Sequence, residues 1–356
     1  MQFTQKSKEH IDSCRFCWMC HHVCPIGNAT GLERNTARAR AMGLSLVERG
    51  AVEYSDDIIK NVYECSLCGA CMTDCVTGWD PVMFTKEARL GAALDGRLPD
   101  YVMNMVKNVM EKGNVYGEEK NKNIPSFKDG ETLFFLGEDA RYKDCVKHAV
   151  ELLQKANVKF AILEDEPNSG YSMDFLIGES KETKDVMVKC ANVLNNYKKV
   201  ICYDPGDAKV MKREYKEWGI ELKCDIISFP SFISALIKDN KLDVKKSDIT
   251  FTPQDSPIYA RDLEETQPIR DILSSVGNVN EMLLCKEHTQ LAGNLIMNEY
   301  MPDVIKAVAK NRWINALNMN TKILVTESVA DYVCLKETKP NDVELLKIEE
   351  AVLRCL

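Results

Sequence analysis

At 356 residues, with 45% hydrophobic and 28% charged content, the chain has the composition of an ordinary globular protein with room for two or three cores. A formal net charge of −8 and the lack of a basic tract exclude a surface built to meet a nucleic-acid backbone. The start, Met1 to Lys6, lacks a signal-peptide core, and no apolar run approaches a membrane span. The reading is therefore a cytoplasmic protein, held at a membrane, if at all, by a partner.

The first informative stretch is Cys14-Arg15-Phe16-Cys17-Trp18-Met19-Cys20-His21-His22-Val23-Cys24-Pro25. Its cysteines are spaced C-x2-C-x2-C-x3-C and followed at once by proline. The spacing returns at Cys65, Cys68, Cys71 and Cys75, each 51 residues after its counterpart (65 − 14, and so on to 75 − 24). This is the ligand run of a [4Fe–4S] cluster, in which three cysteines wrap one cluster and the fourth reaches the other. The expected ligand sets are Cys14, Cys17, Cys20 and Cys75 for one cluster, and Cys65, Cys68, Cys71 and Cys24 for the second. Zinc fits three cysteines at interval three poorly, and nothing in the sequence points to an oxidising compartment that would favour disulfides. With four cysteines in each quartet, His21 and His22 are expected to pack or hydrogen-bond nearby, and Trp18 to act as a hydrophobic cover.

Between the quartets the residues read as helix. Arg34, Ala37, Arg38, Ala41, Met42, Leu44 and Val47 form one, stopped at Gly50. Ser55-Asp56-Asp57 opens another, running from Ile58 to Glu64. Arg34 and Arg38, with Arg40 nearby, either favour the reduced state of an anionic cluster or form a solvated charged face. Asp80-Pro81 and Pro99 open two further helices, and Gly113-Asn114-Val115-Tyr116-Gly117 ends the second. The polar run from Glu118 to Gly130, with Lys120-Asn121-Lys122-Asn123, reads as a linker.

Beyond it the pattern alternates strand and helix. Strands are expected at Thr132–Leu136, Val158–Leu163, Phe175–Ile177, Val200–Tyr203, Asp248–Thr252, Val279–Leu284 and Lys322–Thr326. Helices are expected after the first strand to about Lys155, at Asp185–Leu194, from Asp204-Pro205-Gly206 through Trp218, and at Arg261–Ser275, Met301–Leu317 and Asn341–Arg354. The fold class is α plus α/β: an all-helical two-cluster ferredoxin domain followed by a doubled α/β region with mainly parallel sheets. The boundaries are 1–117 for the helical domain, 118–130 for the linker, and 131–240 and 241–356 for the two α/β halves.

Two cluster motifs followed by a doubled α/β region resemble the iron–sulfur subunits of the heterodisulfide reductase type, a group that includes those of anaerobic glycerol-3-phosphate dehydrogenase. Gly113-Asn114-Val115-Tyr116-Gly117 is similar to the turn after their ferredoxin part, Phe134-Phe135-Leu136-Gly137 to the strand opening each later half. Arg261 matches the end of their His-Asp-Pro-Cys-x-x-x-Arg stretch. The later halves of that family carry cysteine-rich motifs, and here most are replaced: Glu138 stands for a cysteine, Asn168-Ser169-Gly170 for Cys-Cys-Gly, Asp204-Pro205-Gly206-Asp207 for Cys-Pro-x-Cys, Gln254-Asp255-Ser256-Pro257 for His-Asp-Pro-Cys, and Glu327-Ser328 for Cys-Pro. Only Cys285 falls near a family position. Cys145, Cys190, Cys202, Cys224, Cys285, Cys334 and Cys355 lie too far apart for a local cluster motif and read as small buried hydrophobes.

The resemblance implies an electron-transfer subunit of a multi-subunit oxidoreductase of anaerobic metabolism. Its two [4Fe–4S] clusters would relay single electrons between a flavin-containing partner and another redox module. The chain would not be catalytic alone, so no catalytic residue is named. The alternative is a catalytic heterodisulfide or hydroxy-acid oxidoreductase subunit with a metal site in the α/β region, for which His148 and His288 lack a neighbouring cysteine. A third reading, clusters that only hold the fold or sense redox state, asks for less than two coupled centres. No nucleotide-binding motif occurs.

Overall fold

The computed structural model describes residues 3–15, 17–119, 124–128, 130–143 and 145–356. The first part is helical: α1 Gln5–Ser13, α2 Met19–Val23, α3 Pro25–Thr30, α4 Ala37–Glu48, α5 Asp56–Tyr63, α6 Ala70–Thr73, α7 Pro81–Leu94 and α8 Asp100–Lys112. Local chemistry sets the ends. Ser55 caps α5 by accepting from the Ile58 N–H, Asp80 caps α7 from the Met83 N–H with Pro81 at its first position, and Gly113 takes φ 77° to stop α8. On α7 the buried face is Phe84, Ala88, Arg89 and Ala92, so small residues let α5 approach closely.

The linker residues Lys120–Asn123 and Asp129 lie outside the described residues. The chain continues as β1 Thr132–Phe135, α9 Glu138–Tyr142, α10 Lys147–Lys155, α11 Tyr171–Ile177, α12 Lys181–Leu194, β2 Lys199–Cys202, α13 Pro205–Lys209, α14 Tyr215–Glu217 and β3 Asp225–Ser228. It closes with α15 Phe229–Lys238, β4 Thr250–Gln254, α16 Gln267–Val276, β5 Asn278–Val279, α17 Leu295–Asn298, α18 Pro302–Asn318, β6 Ile323–Thr326, α19 Val329–Glu337, β7 Glu344–Lys347 and α20 Ile348–Leu353. The strands form two parallel sheets, ordered β1-β2-β3 and β5-β4-β6-β7. Phe134 pairs with Ile201 and Ile201 with Ile227 in the first; Pro253 pairs with Val325 and Val325 with Leu346 in the second. One apolar core runs through both sheets, including Phe134, Phe229, Phe251, Val325 and Ile348. The halves meet where α15 packs on α16 and α10 on α20.

Several expected elements are corrected. Phe175–Ile177 is helical, inside α11; residues 172–177 are all buried, and a buried helix turn and a buried strand are the same apolar run in sequence. Val158–Leu163 contributes only isolated bridges, Leu133 with Ala161 and Phe127 with Ile162. Val279–Leu284 keeps just Val279 in β5, because beside it β4 carries Pro253, which has no N–H to extend that ladder. Asn341–Arg354 is the strand β7 before it is a helix. Arg261 lies in a π-helical turn, Ile258–Asp262, and its helix begins only at Gln267. β3 is a further strand, its two isoleucines being too short a run to stand out in sequence.

The α/β region grips the helical part where α18 packs on α3, α11 on α7 and α8, and the turn Lys286–His288 on α6. Among the described residues no helix is long and apolar enough to cross a membrane.

Candidate iron–sulfur site

The two cysteine quartets fold as local copies. In each, the residue after the second cysteine turns left-handed and opens a short helix: Trp18 (φ 72°, ψ −2°) before α2, and Gly69 (φ 75°, ψ −3°) before α6. The two short helices pack on each other, which brings the loops together.

The fourth cysteine of the first quartet lies within electrostatic reach of both loops. Cys24 is buried, and the thiols that act on it electrostatically are Cys68 and Cys65 of the other loop. Cys71 in turn feels Cys68, Cys65 and Cys24. Cys20 feels Cys14, Cys24 and Cys17. Cys75 follows α6 with its Sγ 3.2 Å from Thr77 Oγ1.

Burial lifts these thiols: Cys20 to about 11, and Cys24 and Cys71 above the ordinary thiol value, with neighbouring thiols adding to it. Against that stands Arg40, a guanidinium 3% exposed whose Nη2 is 3.9 Å from Cys24 Sγ, with Nη1 donating to the Asn35 carbonyl at 2.9 Å. Cys65, Cys24 and Cys71 raise its own pKa in spite of burial. Backbone donors add to the field: the Gly27 N–H points at Cys24 Sγ (3.4 Å) and the Leu67 N–H at Cys65 Sγ (3.4 Å). The donor set thus fits an anionic centre held by thiolates. Among the described residues no three His, Cys, Asp or Glu side chains converge on a point for one bare ion; a cubane instead offers four separate iron corners to four separate thiolates.

Of the three arginines singled out in the sequence, Arg40 brings its guanidinium to Cys24, while Arg38 reaches a thiol through its backbone, whose N–H donates to Cys20. Arg34 pairs with Asp57 (3.2 Å) and Glu64 (3.4 Å). Arg38 pairs with Glu33 and lies 4.1 Å over the Trp18 ring. His21 stands beside the Trp18 ring at 5.9 Å, and His22 is exposed. Trp18 itself is 47% exposed.

Long-range groups brace the second loop. Arg89, fully buried, donates to the carbonyls of Cys65 (2.6 Å), Val62 (2.9 Å) and Phe175 (2.6 Å). Arg261 donates to the Cys68 carbonyl at 2.7 Å and to those of Glu287 (2.8 Å) and Thr289. Tyr300 Oη donates to the Tyr63 carbonyl at 2.8 Å, and Tyr63 Oη to that of Leu176 at 2.9 Å. No motif marks Arg89 or Tyr300; an arginine among Phe84, Ala88 and Ala92 on an apolar face is the only sign of either in the sequence.

The carboxyl ends of β1, β2, β4 and β6 face a cavity of about 50 Å³ lined by Asp139, Asp204, Ser256 and Asp331, with Ser66 and Cys68 of the second loop on its wall. The substituted family positions cluster around these strand ends and several bond to one another, while the buried Asp207 Oδ2 and Glu327 Oε2 have no hydrogen-bond partner among the described residues. Asn168 donates to Glu138 (3.2 Å) and Ser169 to Asp207. Arg270 pairs with Asp255 (2.6 Å) and Glu281 (2.7 Å), and the Ser256 N–H donates to Glu327 (3.1 Å). Of the seven later cysteines, six are buried and Cys285 is half-buried. His148 pairs with Glu350 (2.8 Å), and His288 lies 3.2 Å from Asp74 at the end of α6.

Residues 10–79 match the family described as the 4Fe-4S dicluster domain. The chain is 25% identical over 355 residues to the D subunit of the dihydromethanophenazine:CoB–CoM heterodisulfide reductase of Methanosarcina acetivorans, covering 88% of this chain and 85% of that protein. It is 25% identical over 279 residues to the probable iron–sulfur-binding oxidoreductase FadF of Bacillus subtilis, covering 68% and 39%. It is 22% identical over 333 residues to the EtfAB:quinone oxidoreductase of Syntrophomonas wolfei, covering 77% and 46%. These relatives bear out the resemblance to iron–sulfur subunits of the heterodisulfide reductase type.

Proposed function

We propose that the chain is an electron-transfer subunit of an oxidoreductase complex, with two [4Fe–4S] clusters bound at residues 14–75 and a flavoprotein among its partners. The relatives are iron–sulfur oxidoreductases and their subunits, and the matching domain is a 4Fe-4S one. The observation that carries the reading is the placement of Cys24 among Cys65, Cys68 and Cys71. It supports the crossed ligand sets: Cys65, Cys68, Cys71 and Cys24 for one cluster, and Cys14, Cys17, Cys20 and Cys75 for the other. When bound, such clusters take up and give back single electrons.

The chain's own residues hold the thiols and set their surroundings. Arg40 offsets the charge of Cys24, Cys65 and Cys71 inside the protein. Arg89 and Arg261 fix the second loop's carbonyls, so that its thiols keep their places when the net charge there changes. On this reading residues 1–117 carry the centres, and the halves 131–240 and 241–356 serve as a scaffold. The ion pairs and hydrogen bonds at the substituted positions favour a scaffold over a further metal site.

The test is iron and acid-labile sulfide content with spin-resonance spectra of the reduced protein. About eight irons per chain and interacting cubane signals support the relay. A single zinc per quartet, or a third magnetically distinct centre lost on Cys285→Ala, would defeat it.

A further inference from the structure

The twin loops differ at one position that their shared geometry makes informative. Both need a left-handed residue after the second cysteine. The second loop uses Gly69, which the Arg261 side chain closes over: a Cβ there would meet Arg261 Cδ at 3.2 Å. The first loop places a tryptophan in the same conformation, where glycine would fit without strain. Burial does not account for it. Trp18 is 47% exposed, the next residue Met19 48%, and Cys17 before it is exposed as well. The ring is instead held in place from beneath by Arg38 at 4.1 Å and from the side by His21.

The charge around it is also unlike the rest of the molecule. The chain carries −8 overall. Arg15 on this loop is exposed and donates to the carbonyls of Asp12 (3.1 Å) and Ser13 (3.2 Å), leaving its charge unneutralised by those partners. Two acids of this part of the chain are already engaged, Asp12 with Arg49 (2.7 Å) and Glu33 with Arg38. A strained, exposed indole and methionine beside a cationic group form the usual centre and rim of a protein contact.

We propose that the Cys17–Met19 segment is the docking face for a one-electron carrier protein with an acidic rim around an apolar centre, and that Trp18 is the side chain the carrier covers. The inference rests on the relay reading and names the kind of partner that reading requires. Arg15 and Cys17–Met19 of the first loop are exposed, whereas Ser66, Gly69 and Ala70 at the matching part of the second are buried, so electrons exchanged with a diffusing carrier pass at the first. In that step the carrier is oxidised by one electron and the chain reduced by one; no bond is made or broken.

The experiment uses the full chain with its clusters, followed by stopped-flow absorbance. Two reductants are compared: reduced methyl viologen, and a reduced plant-type [2Fe–2S] ferredoxin as the acidic carrier. Trp18→Gly copies the twin loop and relieves the left-handed strain, so it should keep iron content and melt no lower than the parent chain. With viologen its rate should equal that of the parent chain; with ferredoxin it should fall at least about tenfold. The parent ferredoxin rate should fall as salt rises, and Arg15→Glu should flatten that dependence. Equal ferredoxin rates for Trp18→Gly and the parent overturn the proposal, as does a parent chain that accepts electrons from viologen but not ferredoxin. Equal losses with both reductants overturn it too. A parent chain reduced by neither overturns the relay reading itself, and this inference with it.

Discussion

Arg40 Nη2 lies 3.9 Å from Cys24 Sγ, with both side chains removed from water. The contact joins a helix between the two cysteine quartets to the last thiol of the first quartet, which Cys65 and Cys68 of the second also influence. A fixed positive charge here favours whichever state of the centre carries one more electron. At about 6 Å and an effective dielectric near 20, a unit charge is worth roughly 3 kcal/mol, or on the order of 100 mV for one electron. Arg40→Met should therefore lower one of the two midpoint potentials by about that amount and leave the other nearly unchanged. A redox titration followed by spin resonance reads this directly; no shift would place the guanidinium's charge outside the cluster's field.

Cys24→Ser should remove the centre associated with Cys65, Cys68 and Cys71 rather than the one beside its own loop. About half of the iron should go with it. The pairing can be read by following which signal survives: loss of the same signal in Cys24→Ser and Cys68→Ser supports the crossing, while loss of the same signal in Cys24→Ser and Cys17→Ser contradicts it.

Arg261 ties the α/β region to the Cys68 carbonyl across 193 residues of sequence. Arg261→Ala leaves three carbonyls without this donor, and hydrogen bonds to a charged group are worth about 1.5–3 kcal/mol each before water replaces them. A loss of about 3 kcal/mol in stability is expected, with cluster content falling faster in air than in the parent. Denaturant midpoints and timed iron release measure the two effects separately.

Asp331 is 1% exposed, and burial pushes its carboxyl up to about 7 in spite of Gln254 and Arg312 nearby. Its pKa is higher folded than unfolded, so the folded chain binds the extra proton between the usual carboxylate range and about 7. The destabilisation grows as pH rises through that window and is constant above it. Asp331→Asn should thus be more stable than the parent at pH 8, by about 4 kcal/mol, and equal to it near pH 4. Melting curves at the two pH values decide it; a gain that is the same at both would mean the carboxylate is charged throughout.

Cys285 is the one later cysteine near a family position and is only half-buried. Cys285→Ala should leave iron and sulfide content unchanged. It touches no cluster in the proposed assignment, and the Asp255–Arg270–Glu281 ion pairs beside it remain.

What the sequence determined by itself was the chemistry of short range. Thiol spacing is a local code, because three ligands on one turning loop have to sit three residues apart. Helix ends such as Ser55, Asp80 and Gly113 were legible for the same reason: a cap and its helix are neighbours in sequence. Parallel α/β rhythm was visible in outline, whereas Phe175–Ile177 and the start of β7 misled, because a buried run has the same composition whether it coils or extends.

The tertiary structure decided what depends on distance. No pattern announces that the guanidinium of Arg40, rather than of Arg34 or Arg38, turns inward to the thiols, or that Arg89, Arg261 and Tyr300 converge at the second cysteine loop. Those relations follow from how α11 packs on α7 and α18 on α3, contacts between segments far apart in the chain. A charge that tunes a centre or a face that meets a partner is defined by what surrounds it, and the surroundings exist only once the chain is folded.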